Sequence, residues 1–286
     1  MRKVPLSNNF DSAQYIFNIV QNFPNLNLII DVRPEEEYEY IRLARSINLP
    51  FNTDFPESLD IQSIRPFMRG ETELFERCKR FAIVIVYSPP GIAFAREMEF
   101  LLRRHKCREV YILDEEFGTF AGNYPFLCRG AHLPVNSIPK QGFPSEIIPF
   151  KLYVGNYYHA SSSLVMDHLK ITHIINATRG QECKFEERGI IYYNISIEDN
   201  ENEDISSFFE GALAFIENAF TNNRACVLVH CAKGVSRSVT IIIMYLMATR
   251  DIEFEDAFEM VKKHRYVAQP NDGFVRQLKS LSLIHI

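Results

Sequence analysis

Nine consecutive residues, His230-Cys231-Ala232-Lys233-Gly234-Val235-Ser236-Arg237-Ser238, set a thiol and a guanidinium six positions apart in a Cys-x5-Arg loop. An apolar run from Ala225 to Val229 precedes the loop, and a helix-like run from Val239 to Ala248 follows it. Strand, short loop and helix start in that order form a cradle for a phosphate group. The N–H groups of the loop and first helical turn have no intrahelical partner, and the helix dipole favours an anion there. The same surroundings, with Arg237 beside them, favour a thiolate over a thiol. A nucleophilic sulfur inside a phosphate cradle is equipped to attack a phosphate ester. Chance accounts poorly for the pattern: a bare Cys-x5-Arg arises by composition roughly 0.4 times per chain, and adding the His, Gly and two Ser lowers this to on the order of 10⁻⁶.

Each position has a physical role to fill. The backbone from Ala232 through Lys233, Gly234, Val235 and Ser236 to Arg237 supplies the phosphate-binding N–H groups. Arg237 suits two phosphate oxygens at once, a fork lysine cannot reproduce. Gly234 permits a tight turn. Lys233 either adds charge at the rim or is simply solvated. His230 orients the loop by hydrogen bonds, since no partner ligands lie at zinc-like spacing. No metal and no cofactor is expected. Ser238 reads on its own as a helix-start hydroxyl. A phosphate ester also needs a proton for its leaving oxygen. The carboxylates available lie in Ile197-Glu198-Asp199-Asn200-Glu201-Asn202-Glu203-Asp204-Ile205. Asp204, just before Ile205-Ser206-Ser207-Phe208-Phe209, reads best as a helix-start residue. Mutual repulsion in this run would raise the proton affinity of its least solvated member, although the whole run could equally be a solvated loop. Cys226 stands an odd number of positions before Cys231, which on a strand puts the two side chains on opposite faces and argues against a regulatory disulfide. Cys78, Cys107, Cys128 and Cys183 read as ordinary core or surface residues.

The elements that must hold this loop belong to a chain of 286 residues, enough for two domains, with 47% hydrophobic residues to build both cores. A net charge of −5 argues against a nucleic-acid partner. The first nine residues lack a signal-peptide core, and the longest apolar stretch, Val239 to Ala248, is too short to span a bilayer. Six irregularly spaced cysteines do not form a disulfide framework, so a reducing, cytoplasmic location is expected. In the N-terminal half, Ser12 to Asn22 and Phe94 to Leu102 read as amphipathic helices. Leu28 to Val32, Ala82 to Tyr87 and Val110 to Leu113 read as short buried strands. That alternation predicts a parallel α/β sheet. Pro134, Pro139, Pro144 and Pro149 punctuate the stretch from Leu133 to Pro149, which marks a linker. The expected division is a first domain over 1–132, a linker over 133–146 and a second α/β domain over 147–286, with a mixed sheet flanked by helices.

The loop resembles the His-Cys-x-x-Gly-x-Ser-Arg-Ser/Thr signature of the dual-specificity branch of the protein tyrosine phosphatases. The resemblance extends to Ile148-Pro149-Phe150-Lys151-Leu152-Tyr153-Val154-Gly155-Asn156, similar to that family's opening strand, and to Ile171 through Thr178, similar to its second. It includes Met244-Tyr245-Leu246-Met247, and Gln269-Pro270-Asn271-Asp272-Gly273-Phe274 with Gln277-Leu278. About half the chain is covered. The resemblance implies a phosphocysteine mechanism with Cys231 as nucleophile and Asp199 as general acid. It gives Ser238 the hydroxyl that steadies the departing thiolate, and makes Asn271 a brace for the loop, for which a plain helix cap is the alternative.

Ile30-Asp31-Val32-Arg33-Pro34, Glu37-Tyr38 and Ser46-Ile47-Asn48-Leu49-Pro50 resemble the start of a rhodanese-like domain; Val110 to Leu113, Phe117 and Tyr124-Pro125 resemble its end. Ser88 stands where an active rhodanese has its sulfur-carrying cysteine, and a serine cannot hold a persulfide, so sulfur transfer is not expected. Mitogen-activated protein kinase phosphatases share this domain order. The proline-rich junction is similar to that of the serine/threonine/tyrosine-interacting-like proteins, but those pseudophosphatases lack the nucleophilic cysteine that is present here. The arginine run with which such phosphatases dock a kinase is replaced by Phe51 to Glu57, which is acidic. Arg103-Arg104-His105-Lys106 with Arg108 is the concentrated basic cluster, read either as a helix C-terminus answering its dipole or as a docking patch. The resemblance thus implies a phosphatase for phosphotyrosine and phosphoserine/phosphothreonine in proteins, kinases among the candidate partners. A catalytically idle scaffold and a phosphoinositide phosphatase are the alternatives.

Overall fold

Both halves are built around short strands with apolar central stretches that need cover on two faces, which helices provide. The computed structural model describes residues 13–22, 27–50, 82–86, 92–104, 107, 109–113, 115–130 and 138–281. The chain divides into two compact units, Met1–Ser137 and Ile138–Ile286.

The first unit contains α1 (Ala13–Asn22), β1 (Asn27–Asp31), α2 (Glu35–Tyr40), β2 (Arg42–Leu43), β3 (Ile47–Asn48), β4 (Ala82–Val86), α3 (Ile92–Arg104), β5 (Val110–Ile112), α4 (Phe117–Asn123) and β6 (Cys128–Arg129). Strands β3-β1-β4-β5 form a parallel sheet, as the alternation predicts. Ile30, Val32 and Ile85 pack beneath Phe94, Ala95 and Met98 of α3. The small antiparallel pair β2–β6 has no counterpart in the sequence reading, because two-residue strands leave no periodicity. Arg33 is buried and held three ways. It grips Asp31 at 2.6 and 2.9 Å, donates to the Ile41 carbonyl at 2.6 Å, and lies 4.0 Å over the Phe117 ring. This explains Asp31-Val32-Arg33 as an internal staple. Arg103 of the basic cluster pairs with Glu99 at 2.8 Å and donates to the Val110 carbonyl at 2.5 Å, tying α3 to β5. Ser88, Phe51 to Glu57, His105, Lys106 and Arg108 lie outside the described residues.

The second unit contains β7 (Ser145–Ile148), β8 (Leu152–Asn156), α5 (Tyr157–Ala160), α6 (Ser163–Leu169), β9 (His173–Asn176), β10 (Ile191–Asn194), α7 (Phe209–Phe220), β11 (Val227–Cys231), α8 (Arg237–Arg250), α9 (Phe254–His264) and α10 (Asp272–Leu281). The sheet order is β10-β9-β11-β8-β7, parallel except for the edge strand β7. Every residue of β11 is buried, as befits the central strand. Ser238 through Met247 of α8 are all buried, because this helix is apolar on every side and other elements surround it.

Two expectations change here. The segment from Ile148 to Asn156 is not one strand: β7 and β8 form an antiparallel pair around a turn at 149–151. Pro149 has no N–H for a ladder, and Phe150 adopts φ 58°, a left-handed conformation that reverses the chain. Buried Glu146 secures the turn by accepting from the Phe150 N–H at 2.9 Å and the Tyr153 hydroxyl at 2.7 Å. Ser145 and Glu146, assigned above to the linker, are therefore buried strand residues.

Three buried or half-buried histidines give this unit a pH signature. Burial, helped by the Arg265 charge, pushes His159 down to about 3; burial likewise lowers His230 and His264 to about 4. Their folded-state values lie below the ordinary 6.5, so the unfolded chain binds more protons at mildly acid pH. Their contribution is fully present above about pH 6.5 and is lost progressively as pH falls toward about 3, the value for His159. Melting temperature should drop over that window. His159→Asn, which retains an acceptor for the Asn156 N–H, should flatten the slope, and an unchanged slope would exclude His159 as a source.

Candidate active site

Cys231 ends β11 and Arg237 begins α8, so 232–236 is the strand-to-helix loop. The Cys231 side chain is buried, and its Sγ accepts from the Gly234 N–H at 3.2 Å and the Ser238 hydroxyl at 3.3 Å. The loop's carbonyls are taken up from outside. Ala232 accepts from the Tyr157 N–H at 3.3 Å, Gly234 from Arg265 Nε at 2.7 Å, and Val235 from the Gln269 N–H at 2.8 Å. Ser236 accepts from the Thr240 N–H and hydroxyl at 2.8 and 3.0 Å. In a trans peptide the next residue's N–H points opposite to the carbonyl, so outward carbonyls turn the N–H groups of Lys233, Val235, Ser236 and Arg237 to the inner side. Ala232 and Lys233 are exposed at the rim, whereas Gly234 and Ser236 are buried.

Gly234 has φ 70°, and a Cβ there would stand 2.6 Å from both the Gly155 carbonyl oxygen and Arg265 Nη2. Gly234→Ala combines left-handed strain of roughly 1–2 kcal/mol with a backbone collision. It should lower unfolding free energy by at least about 2 kcal/mol. Chemical denaturation would measure this; wild-type stability would mean the loop has another accessible conformation.

Arg237 is largely buried. Its Nη1 donates to the Ile197 carbonyl at 3.0 Å, Nε lies 3.9 Å from Asp199 Oδ2, and that Nε has no hydrogen-bond partner. Asp199 Oδ1 accepts from Asn271 Nδ2 at 3.0 Å. Asn271 does two jobs: its Oδ1 caps α10 by accepting from the Phe274 N–H at 2.9 Å, and its own N–H donates to the Ser236 hydroxyl at 3.1 Å. Brace and helix cap are thus the same residue. Asp204 is occupied elsewhere. It accepts from the Ser206 hydroxyl at 2.6 Å and the Ser207 N–H at 3.2 Å, and the Ser206 hydroxyl holds its carboxyl below the usual range. His230 is buried behind the loop, and its Nδ1 has no hydrogen-bond partner.

The acidic segment is anchored rather than self-repelling. Glu198 and Glu203 pair with Arg179 at 2.9 and 3.1 Å, and Glu201 lies 3.7 Å from Arg276. Gln277 Oε1 accepts the N–H groups of Ile205 and Ser206, both at 2.9 Å, while its Nε2 donates to the Glu203 carbonyl at 2.9 Å. The second half of the Gln269–Leu278 motif therefore positions the segment carrying Asp199.

Arg265, Arg179 and His159 were not singled out by sequence. His159 Nδ1 accepts the Asn156 N–H at 3.1 Å directly behind the loop. The one available signal was the Gly-Asn-x-x-His spacing at the end of β8, where Asn156 and His159 form a capping box at the start of α5. Cys226 and Cys231 are both free thiols, and burial raises that of Cys226. Among the described residues no group of three or more His, Cys, Asp or Glu is arranged to hold a metal ion.

Residues 152–282 match the family model of the dual specificity phosphatase catalytic domain, and residues 18–122 match that of the rhodanese-like domain. The chain is 37% identical over 200 residues to human dual specificity protein phosphatase 1, covering 62% of this chain and 54% of that one. It thus spans about half the length of the first relatives it matches. It is 32% identical over 289 residues to human dual specificity protein phosphatase 4, covering 88% of this chain and 72% of that one. Among solved structures it is similar to the human tyrosine phosphatase-like serine/threonine/tyrosine-interacting protein, at 33% identity with a TM-score of 0.43, covering 50% of this chain and 97% of that one. The Cys231 loop lies inside the catalytic-domain match, and a relative of the same kind aligns along most of both lengths: the chain belongs to the dual specificity protein phosphatase family.

Proposed function

We propose that this chain is a cysteine-dependent protein phosphatase acting on phosphotyrosine and on phosphoserine or phosphothreonine. The observation that carries this reading is the Cys231 sulfur seated between the Gly234 N–H and the Ser238 hydroxyl, with Arg237 and Asp199 brought to the same loop. In the proposed cycle Arg237 and the inward N–H groups hold the non-bridging phosphate oxygens. The thiolate forms an S–P bond as the P–O bond to the substrate breaks, and Asp199 donates its proton to the departing oxygen. Water, deprotonated by the same carboxylate, then cleaves the S–P bond, releasing phosphate and returning the thiolate, which Ser238 steadies. We assign 1–132 to a rhodanese-like domain without sulfur-transfer activity and 147–286 to the catalytic domain. A phosphorylated protein is the proposed substrate, with protein kinases as the leading class. Among the described residues no helix is long and apolar enough to cross a membrane.

Hydrolysis of phosphotyrosine and phosphothreonine peptides, run beside phosphoinositides and with a chelator present, tests the reading. Turnover of peptides is expected with chelator present; turnover of lipids alone, or of nothing, would overturn it. Arg237→Lys should weaken kcat/KM by at least about 10²-fold, because a point charge replaces the planar fork. Near-normal kinetics would remove Arg237 from the site.

A further inference from the structure

Resting on that reading, we propose that Arg265 is a positioning residue of the cysteine site. Its buried guanidinium holds the carbonyl of Gly234, the residue whose N–H meets Cys231 Sγ, and it fixes a positive charge behind the thiolate.

Arg265 follows α9 and is only 5% exposed. A buried guanidinium is costly without an opposite charge. Its two hydrogen-bond acceptors are nevertheless neutral: the Gly234 carbonyl at 2.7 Å and the Ser145 hydroxyl at 3.1 Å. Gly234 is thus held through both of its peptide groups, its carbonyl by Arg265 at 2.7 Å and its N–H by the Cys231 sulfur at 3.2 Å. The left-handed φ of 70° at Gly234 is the conformation that permits both contacts.

Of the titratable groups around Arg265, Cys231 and Tyr266 are the two that favour its cation. On α5, burial keeps His159 neutral. On β11, burial keeps His230 neutral as well. On β7, Glu146 is engaged by the Tyr153 hydroxyl and the Phe150 N–H. Tyr266 adjoins in sequence and, like Cys231, favours the Arg265 cation, against burial that pulls it down to about 10. A tyrosine is neutral near pH 7, whereas a thiolate is charged. Attraction between two groups is reciprocal, so a thiolate that stabilises the Arg265 cation is stabilised by it. Unlike Arg237, this arginine approaches from the outer side of the loop, through the Gly234 carbonyl, and does not compete for the phosphate.

Alkylation of Cys231 by iodoacetamide, followed against pH with Cys231→Ser as the blank, reads the thiolate without requiring turnover. Arg265→Met should move the alkylation midpoint up by about one pH unit. It should also lower kcat/KM on an aryl phosphate at least about tenfold, because the Gly234 N–H is no longer aimed. Arg265→Lys keeps the charge and loses the fork, so kcat/KM should fall while the midpoint moves less. An Arg265→Met protein that melts cooperatively with a wild-type midpoint and wild-type kcat/KM would overturn the proposal. If that variant does not fold, Arg265→Lys decides: unchanged kcat/KM overturns it, and a loss supports it. Wild-type protein that turns over no phosphate ester, yet shows the Arg265-dependent alkylation profile, would strike down the proposed function and leave this role standing.

Discussion

Cys231→Ser is expected to abolish turnover while phosphate-ester binding persists. The substitution leaves Arg237, the outward-bonded carbonyls and the N–H groups they turn inward in place, since none of these depends on sulfur. What disappears is the nucleophile: a serine hydroxyl stays protonated at neutral pH, and the partners of the Cys231 sulfur are the Gly234 N–H and the Ser238 hydroxyl, neither of them a base. A loss of at least about 10³-fold in kcat corresponds to roughly 4 kcal/mol of barrier. Calorimetry with a phosphotyrosine peptide should give an affinity for the variant within a few-fold of the wild-type KM. Activity above a few per cent of wild type would sink the assignment of Cys231.

Asp199→Asn is expected to slow poor leaving groups far more than good ones. A phenolate carrying strongly withdrawing groups departs without a proton, whereas a tyrosyl, seryl or threonyl oxygen does not, and general acid assistance is typically worth about 10²–10⁴-fold. Asparagine retains an oxygen for Asn271 Nδ2, so the loop geometry should survive and the loss should be chemical. Asp204→Asn is the control. It disturbs a turn cap built with Ser206 and Ser207, worth about 1 kcal/mol of stability, and should leave the leaving-group dependence intact. If Asp204→Asn reproduces that dependence and Asp199→Asn does not, the proton comes from the other carboxylate.

The nine residues from His230 to Ser238 were legible because everything they specify is local. An apolar strand, a glycine able to take φ 70° and a helix start carrying a guanidinium are encoded within one short stretch. The buried strands and α8 were legible for a similar reason, since continuous apolar sequence has few places to go in a folded chain. Spacing alone left the acidic segment ambiguous. Asp199 meets Arg237 and Asn271 because Gln277 and Arg276 hold its segment against α10 and Arg179 ties it to the chain after β9, with bonds such as Asp199–Asn271 spanning 72 positions. The edge strand at Ser145 and the arginine it touches 120 residues later carry no motif that ties them together. Their meeting follows from how β7 pairs with β8 and where the chain leaves α9. Sequence therefore determined the Cys231 loop, whose hydrogen bonds close over a few residues. Tertiary structure decided which carboxylate and which outer arginine stand beside that loop, because burial and long-range pairing, not local backbone preference, bring those groups together.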